Sequence, residues 1–149
     1  MKDRSDLTEL LGELFAAQQL AVLSTLNEGQ PYGNLVAFAA TDEFRHLIFV
    51  TNRNTRKYTN LKGNRKVALL IDSRTNQISD FHKAVAVTAI GTAEEITGNE
   101  RELLARVYIA KHPHLGEFIN RPDSAVMKIT VSDYIVAGFN KTQSLQLGD

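Results

Sequence analysis

The hydrophobic pattern changes period several times along the chain, and each change marks an element. Leu7, Leu10, Leu11, Leu14 and Phe15 recur at the i, i+3, i+4 spacing of an amphipathic helix, with Asp6 and Glu9 at the spacing of a capping box. Residues 21–26 then read as a strand, Asn27-Glu28-Gly29-Gln30 carries turn chemistry, and residues 31–40 follow as a second strand, which predicts a hairpin. After Thr41-Asp42-Glu43, residues 46–51 form a third strand. Residues 52–62 return to a helical pattern with Tyr58 and Leu61 on one side, and Gly63-Asn64 ends it. The nearly continuous apolar run 67–72 predicts a buried strand, 73–83 a polar loop, and 84–96 a long strand with Gly91 as a bulge or close-contact point. Asn99 and Glu102 cap a second long helix whose apolar face is Leu103, Leu104, Val107 and Tyr108; Pro113 ends it, and 114–120 make a further short helix. Residues 126–130 and 134–139 read as the last two strands, and the polar stretch from Asn140 as a loose tail.

Strands joined mostly by tight turns, with few helices, predict a mainly β fold: a six-stranded antiparallel barrel with helices packed outside it. The 149 residues suit a single domain spanning the whole chain, with no repeat and no linker.

Composition narrows the chemistry. The chain has no cysteine, which excludes disulfides, thiolate metal sites and cysteine nucleophiles. No apolar run reaches the length of a membrane-spanning helix and the first residues do not form a leader, so the expected location is the cytoplasm, without membrane attachment. Lysine plus arginine equals aspartate plus glutamate at 17 each, a balance that disfavours nucleic acid as a partner. The distribution is less even than the sum. From Phe44 to Ile71 there is no acidic residue, and the stretch carries Arg45, Arg53, Arg56, Lys57, Lys62, Arg65 and Lys66. A basic island in a neutral chain suits a small anionic ligand.

The island contains the most specific segment, residues 50–61, where a strand gives way to a short helix. Thr55 stands at the N-cap, with Arg56 and Lys57 in the first turn. Free backbone N–H groups and the positive helix end favour an anion there, arginine adds a two-pronged donor, lysine a mobile charge, and Thr51 and Thr55 add hydroxyls. A terminal phosphate dianion matches that set. The same cations also fit a solvated helix face, and spacing alone leaves both readings open.

The stretch FVTNRNTRKYTNLKGNRKVALLID, residues 49–72, resembles the flavin-phosphate segment of the pyridoxamine 5′-phosphate oxidase-like superfamily. The resemblance places Thr51, Thr55, Arg56 and Lys57 at the phosphate of flavin mononucleotide (FMN), and Val50 among its cofactor-binding residues. Residues 29–38, GQPYGNLVAF, are similar to the family's second strand, which runs under the flavin ring, so Asn34, Leu35, Val36 and Ala37 are its implied ring contacts. Asn76, in the loop 73–83, is a further candidate flavin contact; His82 of that loop could line the flavin as well. The ordered series covers roughly residues 10–137. Asn34 stands where the oxidase has an arginine, Ala86 where it has a flavin-reaching glutamine, and the chain has neither tryptophan nor the oxidase's Arg-Leu-x-Pro motif. The resemblance is therefore to the superfamily and not to the oxidase itself.

It implies a split barrel that binds FMN at a homodimer interface, where Tyr134 or Phe139 could cover the partner's ring, and an oxidoreductase role toward a small-molecule substrate. Hydride arrival at a flavin needs no protein acid or base, so no catalytic residue is assigned. The alternatives are the deazaflavin F420 or haem on the same barrel, or a non-enzymatic flavin- or nucleotide-binding module. His112-Pro113-His114 does not have metal-site spacing, and no metal is expected.

Overall fold

A computed structural model describes residues 2–147 of the chain. Helix α1 (Arg4–Ala17) leads into β1 (Leu20–Asn27) and β2 (Gln30–Ala40), then β3 (His46–Asn52), α2 (Arg56–Gly63) and β4 (Lys66–Asp72). A one-turn helix α3 (Asp80–Lys83), β5 (Ala86–Glu95), α4 (Gly98–Lys111), α5 (Gly116–Ile119), β6 (Ser124–Ala137) and β7 (Thr142–Gln146) complete it. Every strand pair is antiparallel, in the order β3-β2-β1-β4-β5-β6-β7. Strand β3 also pairs with β6 along its whole length, which closes six strands into the expected barrel.

Local chemistry explains the turns and bends. Glu28 and Gly29 both have positive φ, 50° and 80°, between the paired ends Asn27 and Gln30, which makes a two-residue hairpin turn. The β5–β6 register slips between Ile90 and Gly91, leaving Ser132 as the extra residue of a bulge. A Cβ on Gly91 would lie 2.1 Å from the Thr130 carbonyl oxygen, so only glycine fits there.

The barrel interior is the main core. Leu23, Phe38, Phe49, Leu69, Ile71, Ile129 and Tyr134 fill it, and α1 contributes Leu7, Leu11, Leu14 and Phe15. A second core lies outside the wall, where residues 104–119 pack against Ala39, Ile48, Val50 and Val126. Other outward side chains of the sheet stay exposed, with Leu20 at 55%, Leu35 at 67% and Ile90 at 37%.

Several sequence expectations shift. The cap of α1 is Asp3, whose side chain accepts the Asp6 N–H, not Asp6 itself. Leu103 points to solvent at 59% exposure, and α4 buries only Tyr108 fully. The last two predicted strands are one continuous strand, β6, because the bulge absorbs the polar interruption at Ser132-Asp133. The expected loose tail is instead β7, a seventh strand on the edge of β6 that buries Leu145.

Candidate functional site: an anion anchor in the split of the barrel

Strands β2 and β3 pair only from Phe38↔Phe49 to Ala40↔Leu47. Beyond Phe38 they part, β2 staying with β1 as far as Gln30 and β3 with β6 as far as Asn52. The parting leaves one edge of β2 open. Phe38 donates its N–H to Gln19 O on the β1 side at 3.3 Å. By strand alternation, the backbone groups of Leu35 and Ala37 therefore face the opening.

Helix α2 bridges it. Asn60 Nδ2 donates to Thr25 Oγ1 of β1 at 3.0 Å, and the Arg56 guanidinium lies over the Tyr32 ring of β2 at 5.5 Å. At its start, Thr55 Oγ1 donates to Asn52 O at 2.8 Å and accepts the Tyr58 N–H at 3.4 Å. The Thr51 and Thr55 hydroxyls meet at 3.1 Å, and since the Thr55 proton goes to Asn52, Thr51 is the donor of that pair. The first-turn N–H groups of Arg56 and Lys57 have no intrahelical acceptor, as in any helix.

The structure divides the basic island. Arg53 pairs with Glu95, Arg65 with Glu94 and Arg45 with Glu43, and Lys62 lies over the Tyr58 ring. Arg56, Lys57, Lys62 and Lys66 have no carboxylate within ion-pair distance among the described residues, and of these Arg56 and Lys57 stand in the first turn of α2. Lys57 is half-buried, and burial holds its ammonium below the ordinary lysine pKa. A cation that is partly desolvated without a counter-ion gains from a bound anion.

The remaining sequence candidates fall in different places. Asn34 is partly buried, and its Oδ1 is buried with no hydrogen-bond partner, an acceptor that a ligand N–H or O–H would satisfy. Leu35 and Ala37 present backbone groups at the open edge. Val36 points into the main core and Val50 into the second, so neither offers a side chain to the opening. Asn76 lies in a separate group: it takes φ 67° and donates its N–H to Asp80 Oδ2 at 2.8 Å, within a loop that Thr75 and Asp80 hold together. Those hydrogen bonds, led by Thr75's N–H, hold the Asp80 carboxyl below its usual pKa. Sequence reasoning missed Tyr32 and Glu95. Strand alternation puts Tyr32 on the side of Asn34 and Val36, but its contact with Arg56 depends on where α2 lands. His112 is buried, its Nε2 2.7 Å from Phe38 O, so that ring nitrogen is already engaged.

The model of the pyridoxamine 5′-phosphate oxidase family matches residues 7–136, a span that includes the barrel, the split and the anchor. The chain belongs to this family.

Solved structures share the fold at low sequence identity. A haem-binding protein from Mycobacterium smegmatis is 18% identical, with a TM-score of 0.79 over 89% of this chain and 55% of its own. This chain thus spans about half of that protein. General stress protein 26 from Bacillus anthracis is 20% identical, TM-score 0.71, over 95% of this chain and 98% of its own. An FAD-binding protein from Mesorhizobium loti is 15% identical, TM-score 0.69, over 93% of both chains. No curated protein matches the sequence at a significant level. Among the described residues, no helix is long and apolar enough to cross a membrane.

Proposed function

We propose that this family member binds FMN at the anchor and acts as an FMN-dependent oxidoreductase on a small organic substrate. The observation that carries the reading is the pairing of two uncompensated cations, Arg56 and Lys57, with the free N–H groups at the start of α2, beside an open strand edge. A phosphate monoester supplies the missing negative charge. A flat ring with donors and acceptors on its rim suits the open backbone of Leu35 and Ala37 and the unpartnered Asn34 Oδ1.

The bound flavin would accept and pass on a hydride or electrons. The residues of the chain bind and orient it. Arg56 and Lys57 hold the phosphate, Thr51 and Thr55 can turn their hydroxyls toward it, and β2 fixes the edge of the ring.

The reading includes a homodimer in the cytoplasm. The exposed Leu20, Leu35 and Ile90 on the outer sheet give an apolar surface suited to a second copy. A flavin seated beside Leu35 would then be shielded by the partner.

Purified protein titrated with FMN should show a shifted, structured flavin absorption band. The double variant Arg56→Ala/Lys57→Ala should weaken binding roughly 10²-fold, from the loss of two charge-assisted contacts. A wild-type protein that leaves the FMN spectrum unchanged overturns the reading.

A further inference from the structure

One carboxylate joins both flanks of the anchor. Arg53 lies just before Thr55-Arg56-Lys57, and its Nη2 meets Glu95 Oε2 at 2.5 Å. Tyr58 lies just after, and its hydroxyl donates to Glu95 Oε1 at 2.6 Å. Glu95 belongs to β5, so the two ends of the anion-binding segment are tied to a strand distant in sequence. The leading end has further ties. The Arg53 N–H donates to Asp123 O and its Nη1 to Pro122 O, both at 2.9 Å, and Asn52 Nδ2 donates to Asp123 Oδ2 at 2.6 Å.

Such a clamp has a physical need to answer. Helix α2 has eight residues, shorter than a helix that is stable alone in water. Its own cap bond, from the Tyr58 N–H to Thr55 Oγ1, is long at 3.4 Å. The charge-assisted bond from the Tyr58 hydroxyl supplements that weak cap one residue beyond the cations. Burial pushes the Glu95 carboxyl up, but the hydrogen bonds from Arg53 and Tyr58 outweigh it and keep the group ionised. Glu95 also neutralises Arg53, which leaves Arg56 and Lys57 as the cations without a carboxylate partner in the first turn of α2.

We propose that Glu95 is a positioning residue: with Arg53 and Tyr58 it forms a latch that holds the first turn of α2 ready for a phosphate group before any ligand arrives. The proposal rests on the FMN reading for its purpose, yet the latch itself is a property of the ligand-free protein. Preorganisation of this kind lowers the ordering cost of binding.

Two variants test it. Tyr58→Phe removes one hydroxyl and no charge. Glu95→Gln removes the carboxylate, and because it also removes negative charge near an anion site, it is read only without ligand. Amide hydrogen exchange of residues 53–59 in ligand-free protein should quicken by about tenfold in both variants, while the barrel strands keep wild-type protection. In Tyr58→Phe the Kd for FMN should rise about five-fold, and that for riboflavin, which lacks the phosphate, should stay unchanged. Unchanged exchange in residues 53–59, or equal weakening of FMN and riboflavin, overturns the latch. A wild type that exchanges slowly at α2 but does not prefer FMN to riboflavin overturns the flavin reading and, with it, the positioning role.

Discussion

In the proposed FMN site, Lys57 sets the pH dependence of binding. Its ammonium is held below the ordinary lysine range by burial, so it loses its proton at lower pH than an exposed lysine does. Only the charged form attracts a phosphate dianion. FMN affinity should therefore fall as pH rises through the lowered Lys57 range, and Lys57→Arg, which cannot deprotonate, should remove that alkaline loss. Titrations of both proteins with FMN at increasing pH check this. His112 sets a limit at the other end. Burial is the main cause of its lowered pKa, although the hydrogen bond at Phe38 O opposes it. The unfolded chain takes up a proton at the usual histidine pKa and the folded chain does not, so stability should drop as pH falls below about 6.5. Thermal unfolding of wild type and His112→Gln between neutral and acid pH measures the effect, and the variant should show a shallower acid loss.

At the scale of elements, the sequence was most informative where backbone chemistry is local. The turn at Glu28-Gly29 and the exceptional position of Gly91 were both legible, because positive φ and close backbone approach leave few residue choices. Gly91→Ala should cost about 3 kcal/mol in urea unfolding, since the β5 and β6 backbones must separate to admit a methyl group. Choices that depend on packing were less legible. Asp3 and Asp6 are both competent caps, and the helix starts at Arg4 because Leu7 is the first side chain that reaches the core. Strand β6 looked divided because a bulge residue is polar and outward-facing. Strand β7 looked disordered because an edge strand that buries only Leu145 has almost no hydrophobic alternation.

For the whole molecule, the barrel and the helix that starts at Thr55 with Arg56 and Lys57 in its first turn could be anticipated, but the partition of charge could not. Glu95 lies 42 residues from Arg53, and nothing in either segment announces that they meet. The same holds for Tyr32 beneath Arg56, which requires β2 and β3 to part. The exposed outer face makes a prediction about assembly. In the proposed homodimer this face meets the partner, so Leu35→Asp should leave a monomer in size-exclusion chromatography with light scattering where the wild type is a dimer, and FMN affinity should fall with it. The most direct measurement is a parallel titration of the wild-type protein with FMN and with riboflavin, followed by flavin fluorescence. Saturable binding of FMN at least about tenfold tighter than riboflavin is the predicted result, one charge-assisted phosphate contact sufficing for that ratio. Equal affinity for the two, or no binding of either, would contradict the phosphate anchor on which the account rests.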